Sequence, residues 1–194
     1  MSIDFAAQRA TMVESQVRVA DVTDYAIQDA MRIVPRETLL PPEKANLAYA
    51  DVELEYAPGR WLLKPRDVAK LLQALRPRPG ETALAICAPY AGAVLAAMGL
   101  SVTRLDDGDL TAAPADAPDA GFDVVVCEGA VAAAPPMWSE LLALGGRLGV
   151  VARKGPIGRA ELYIRSDHDI GYRDLFDCAA PIMAGFEPQA AFTF

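Results

Sequence analysis

The chain has 194 residues, 53% of them apolar and 23% charged, which is enough apolar material to pack a core and too much for a disordered chain. Its 26 acidic against 18 basic residues leave a formal charge of −8, which argues against broad binding to nucleic acid or to an anionic membrane, and no Lys/Arg run anchors either partner. The three cysteines (Cys87, Cys127, Cys178) and the single histidine are too scattered for a zinc site or a disulfide framework, so no metal is expected.

The N-terminus lacks a basic region followed by an apolar run, and no apolar stretch of about 18 residues is free of breakers, so a cytoplasmic protein that does not span a membrane is expected. Residues 4–20 read as one amphipathic helix, with Phe5, Met12, Val13 and Val17 on its apolar stripe. Thr23 or Asp24 caps a second helix running through Met31, which Pro35 stops, and Pro41-Pro42 keeps the next stretch extended. Residues 1–60 thus form a helical region before any good strand signal, a lid or flanking layer on a single domain spanning 1–194.

Pro65 opens a helix over 66–75 on Val68, Leu71, Leu72 and Leu75, which the Arg76–Gly80 loop ends. Thr82–Cys87 is then a short apolar strand, Ala88-Pro89-Tyr90 a turn, 91–98 a buried helix and Leu100–Leu105 a second strand. This is the repeating unit of a doubly wound, Rossmann-like sheet with helices on both faces. Residues 108–120, rich in Ala, Pro and Asp, carry no helical stripe. Phe122–Cys127 is a Val-rich central strand, Met137–Leu144 a helix, and Leu148–Ala152 a fourth strand. Ala160–Arg165 and Phe186–Phe194 read as two tail strands, antiparallel at one edge, where two chains could pair into a homodimer.

Ligands of open α/β sheets bind at the carboxyl ends of the strands, over a tight turn that small residues make possible. The turn here is Ala85-Ile86-Cys87-Ala88-Pro89-Tyr90-Ala91-Gly92, with one glycine. Pro89 removes a backbone donor and fixes φ at about −65°. The stretch reads either as a plain structural turn or as a remodelled ligand loop. Asp106 and Asp107 end the second strand, as ribose acceptors or as a solvated strand end. Asp123 reads as a strand-start residue, Glu128 as a candidate at the carboxyl edge, Cys87 as an inert buried thiol and His168 as a turn residue.

Several segments carry a resemblance: Met12-Val13-Glu14-Ser15-Gln16-Val17-Arg18, Val22-Thr23-Asp24, Val34-Pro35-Arg36-Glu37, Ala48-Tyr49-Ala50-Asp51, Gly121-Phe122-Asp123 and Gly145-Gly146-Arg147-Leu148. Together, over residues 9–155, they resemble the protein-L-isoaspartate O-methyltransferase family. The resemblance implies a three-layer α/β/α sandwich of the class I S-adenosylmethionine-dependent methyltransferase type. It also implies methyl transfer to the α-carboxyl of a damaged isoaspartyl residue in a peptide.

The departures from that family are specific. The family's active-site serine falls on Leu63, within Arg60-Trp61-Leu62-Leu63-Lys64-Pro65, so no catalytic residue is assigned. Arg60, Lys64 and Arg66 remain as cations that could attract a carboxylate. The cofactor-loop glycines fall on Cys87, Pro89 and Ala91, and the acidic residue before them on Ala85; Asp106 matches the ribose-binding acid. About 15 residues separate Asp107 from Asp123, where a helix and a strand walling an adenine would need roughly 25. The expectation is a degenerate, non-catalytic member that holds no cofactor and binds a protein or peptide, through its N-terminal helices or the groove near Tyr56 and Trp61. The alternative is an active methyltransferase using S-adenosylmethionine in a reshaped site, with Asp106 on the ribose and residues 86–92 around the cofactor body.

Overall fold

The computed structural model describes residues 3–188. Helix α1 (Phe5–Met12) runs on through a π turn (Val13–Val17) and a 3-10 turn (Arg18–Ala20) to Asp21 at φ 61°. The helix expected over 4–20 is therefore continuous but irregular. Helix α2 (Tyr25–Ile33) is capped by Asp24, whose carboxylate accepts from the Ala26 and Ile27 amides. Pro41-Pro42 does not hold an extended strand; Pro42 opens a 3-10 turn through Leu47. A hairpin, β1 (Leu54–Ala57) and β2 (Arg60–Leu62), starts inside the 1–60 region read as helix and turn and runs just past its end.

Helix α3 (Pro65–Leu75) starts at its proline as expected. The central sheet is built from β3 (Thr82–Ile86), β4 (Ser101–Leu105), β5 (Phe122–Val131), β6 (Leu142–Ala152), β7 (Gly158–Arg165) and β8 (Ile170–Cys178). Its order is β4-β3-β5-β6-β7-β8; the first four strands are parallel and the last two run antiparallel to their neighbours. Helix α4 (Pro89–Ala97) joins β3 to β4, and the short α5 (Pro136–Glu140) joins β5 to β6.

Three boundaries differ from expectation. Pro89 is the first residue of α4 rather than part of a turn, because a helix start needs no N–H there. Leu142–Leu144 belong to β6, not to a helix; a short apolar run suits both periodicities, and the β5 ladder decides it. The second antiparallel tail strand is β8; residues 186–188 form no strand, and the remainder of the segment expected to pair there lies outside the described residues. Among the described residues no helix is long and apolar enough to cross a membrane.

Strand alternation sorts the core into two faces. Ala83, Ala85, Val124 and Val126 point to the face covered by α3, α4 and the N-terminal helices. Leu84, Ile86, Val125 and Cys127 point to the other, covered by α5, the 106–121 connection and the chain after β8. This is an α/β/α sandwich, as expected, with a thin second layer. The 106–121 connection holds neither helix nor strand, so β4 ends the sheet. It is anchored instead by Leu110, buried beside Trp138, whose indole Nε1 donates to the Leu110 carbonyl at 2.6 Å.

The chain after β8 returns over the carboxyl end of β5. The Ala130 amide donates to the Pro181 carbonyl at 3.0 Å, and the Met183 amide to the Ala130 carbonyl at 2.8 Å. Ala184 then meets the β1–β2 turn at Gly59, at φ 67°, where an added Cβ would lie 2.4 Å from the Ala184 Cβ. Only glycine admits that approach.

Candidate functional site

The carboxyl ends of β3, β4 and β5 bring together the turn after β3, Asp106 and Glu128. The turn keeps a glycine-like backbone without the glycine: Cys87 sits at φ 44°, a left-handed conformation costing an L-residue about 1–2 kcal/mol. Its amide donates to the Leu105 carbonyl at 3.0 Å, and its thiol contacts the Asp106 carbonyl at 3.7 Å. Burial pushes that thiol up to about 11, which agrees with an unreactive cysteine.

Helix α4 begins with no cap of its own, since Ala88 has no polar side chain. The cap comes from β5. Glu128 is fully buried, and its Oε2 accepts from the Tyr90 and Ala91 amides at 2.8 and 2.9 Å. The first free amides of the helix, a ready anion site in a ligand-binding turn, are thus held by the chain's own carboxylate. Ala91 and Pro89, at two positions where the resemblance places glycines, are buried here, as is every residue from 83 to 92. Ala85, at the position of the loop acid, faces α4 so closely that a Cβ on Gly92 would lie 2.9 Å from its own.

Leu63 joins the same knot from β2's end. It is completely buried; a leucine so placed stabilises by about 1.5–3 kcal/mol, whereas an unpartnered hydroxyl there would cost about 1–3. Its carbonyl accepts from Arg36 Nη2 at 2.6 Å, and Arg36 Nε donates to the Ala48 carbonyl at 2.9 Å. Arg36 is itself fully buried, with its guanidinium 4.7 Å from the centre of the Tyr90 ring. Tyr90 therefore packs into the N-terminal layer rather than standing over the strand ends, so its bulk does not itself wall the turn. The acidic partner of this arginine is Glu128, reached through space rather than by a formed ion pair.

Burial pushes the Glu128 carboxyl up to about 7, against the opposing pull of Arg36 and of the Ala91, Tyr90 and Leu63 amides. The folded state therefore binds a proton that the unfolded chain releases near its ordinary value of about 4.3. The associated stability is complete below that value and is lost as pH rises through about 7. The unfolding free energy is expected to fall by on the order of 3 kcal/mol more in the native chain than in Glu128→Gln between pH 5 and pH 8. Urea titrations at both pH values measure this, and equal falls in the two proteins would refute the assignment.

Asp106 ends β4 with Oδ2 paired to Arg104 at 2.7 Å and Oδ1 without a hydrogen-bond partner. Asp123 is structural: its Oδ2 accepts from the Thr82 amide at 2.9 Å and from the Thr82 hydroxyl at 3.0 Å, tying β5 to β3. His168 lies in the β7–β8 turn, away from the site. The cations near Leu63 are engaged elsewhere, Lys64 with Glu53 at 3.5 Å, Arg66 with Asp51 at 3.1 Å and Arg60 with the Ala184 carbonyl at 2.9 Å. The roles of Arg36 and of the segment after β8 were not legible in the sequence; both depend on contacts far along the chain.

No family model matches the chain. Among curated proteins, a protein-L-isoaspartate O-methyltransferase from Methylorubrum populi is 35% identical over 175 residues, covering 78% of this chain and 82% of the relative. A protein-L-isoaspartate O-methyltransferase 1 from Rhodopseudomonas palustris is 34% identical over 168 residues, covering 74% and 69%. In fold, the chain is similar to a Plasmodium falciparum structure assigned as a protein-L-isoaspartate O-methyltransferase in complex with S-adenosyl-L-homocysteine, with a TM-score of 0.72 and 16% identity over 90% of this chain and 97% of that one. A second structure of that name has a TM-score of 0.69 and 18% identity, over 91% of this chain and 66% of the other. On the extent and identity of the sequence matches, this chain belongs to the protein-L-isoaspartate O-methyltransferase family.

Proposed function

We propose that this chain is a family member that neither holds S-adenosylmethionine nor transfers methyl groups, and that it works by contact with a protein or peptide partner. The observation that carries the reading is the capture of the α4 amides by Glu128, within a strand–turn–helix stretch, residues 83–92, that the protein itself covers completely. A ligand using that helix start would have to displace a buried carboxylate and leave Arg36 without its opposing charge. Leu63 in place of the serine and the short 106–121 connection support the same reading, because neither offers a polar contact or a wall to a nucleoside. The residues at positions 85, 87, 89 and 91 do not fit the cofactor.

The test is methyl transfer from labelled S-adenosylmethionine, at saturating concentration, to an isoaspartyl peptide and to an aged protein lysate. The expected result is incorporation no greater than in a protein-free control; sustained turnover on either substrate would overturn the proposal. A second reading, an active carboxyl methyltransferase with a reshaped site, draws on Asp106. That residue keeps an oxygen without a hydrogen-bond partner at the end of β4, and it would then hold the cofactor's ribose.

A further inference from the structure

Opposite the family site, at the amino end of the parallel strands, two adjoining hollows of about 660 and 580 Å³ run between the end of α3 and the β7–β8 face. They share Ala74, Arg76 and Arg173. Their apolar floor comes from Leu162 and Ile164 in one, and from Leu175 and Phe176 in the other. Leu162 pairs with Arg173 across the β7–β8 ladder, which places the guanidinium beside that floor.

The rim is cationic in a chain of formal charge −8. Arg76, Arg78 and Arg173 are exposed, and among the described residues none of them makes an ion pair. Lys70 adds a fourth cation, its Nζ 4.0 Å from the centre of the Phe176 ring. Arg147 does not contribute free charge, because both its terminal nitrogens lie 3.0 Å from Glu81 oxygens. Of the acids lining this trough, Asp24 is committed to the start of α2, and Asp21 lies in the same end hollow. Unpaired guanidinium groups over aliphatic side chains suit carboxylates carried on an apolar backbone.

We infer that this trough binds an extended acidic segment of a protein partner, with alternating carboxylate and aliphatic side chains. A nucleic acid fits less well: Phe176, the aromatic residue lining the trough, is covered by Lys70 and offers no stacking face to a base, whereas the aliphatic floor suits apolar side chains. The inference names the partner class for the contact role proposed above, but it does not depend on loss of the cofactor, since S-adenosylmethionine binding and peptide binding are measured separately.

The probe is a short fluorescent peptide of alternating glutamate and leucine, followed by anisotropy on the full chain at about 50 mM salt, where exposed charges are weakly screened. Saturable binding with Kd below about 1 mM is expected, weakened about tenfold or more by Arg78→Glu/Arg173→Glu and less by Arg78→Gln/Arg173→Gln. Arg18→Glu/Lys154→Glu makes the same change in net charge outside the trough and should leave binding within about twofold. Absence of saturable binding, equal weakening by the two charge-reversed pairs, or tighter binding of a single-stranded oligonucleotide of matched charge would each overturn the inference.

Discussion

Replacing Glu128 by alanine is expected to lower the unfolding free energy by about 3–5 kcal/mol, close to half the stability of an ordinary domain. The estimate comes from the groups left behind. The Tyr90 and Ala91 amides are buried at a helix start and lose their only acceptor, and each unsatisfied donor costs about 1–3 kcal/mol. The void left by the shortened side chain adds to this. Glu128→Gln keeps an acceptor oxygen and removes the charge that burial disfavours, so it should cost little at pH 6 and stabilise at pH 8. Urea unfolding of the three proteins separates these cases. An alanine variant within about 1 kcal/mol of the native chain would show that Glu128 does not hold α4 in place.

Arg36→Met is the second large effect, also about 3–5 kcal/mol. Methionine fills the space, but the Ala48 and Leu63 carbonyls lose their donors and Glu128 loses the positive charge opposing its burial. The variant should therefore move the Glu128 titration further upward, which a pH series of unfolding experiments detects. Because both residues act on one buried cluster, Arg36→Met/Glu128→Leu should be less destabilised than the sum of the single changes by about 1 kcal/mol or more. Strict additivity would mean that the two groups do not sense each other.

The β3–α4–β4 unit was legible because its apolar runs are short, are bounded by Gly and Pro, and leave no alternative to a buried parallel pair. The lack of helix and strand in the 106–121 connection was legible for a simpler reason: too few residues stand between Asp107 and Asp123 to form both. Strand β8 was not, because Arg173, Asp174 and Asp177 on a sheet edge look like solvated loop. The β1–β2 hairpin hid behind its brevity, with seven residues in strand, four in β1 and three in β2.

The candidate site was partly readable. Positions 63, 85, 87, 89, 91 and 106 could be assigned from their neighbours, and the structure places them along the β3 turn, β4 and the end of the hairpin. What those positions do was less accessible. Glu128 meets the turn 37 and 38 residues away in sequence, and Arg36 reaches Leu63 across 27. Charged side chains are almost never fully buried, so the sequence marks Glu128 only as a candidate at the carboxyl edge and Arg36 only as part of a resembling segment, with no sign that both are buried. Tyr90 illustrates the same limit. Its bulk is evident in the sequence, but only its contact with Arg36 shows that the ring packs inward.

Isothermal titration calorimetry of the full chain with S-adenosylmethionine, at pH 7.5 and with ligand up to about 2 mM, tests the central claim most directly. With Glu128 seated on the α4 amides, no binding tighter than about 1 mM is predicted. A one-to-one isotherm with a Kd of about 10 μM or lower would contradict the account, because it would require a nucleoside to sit where the chain has placed its own carboxylate.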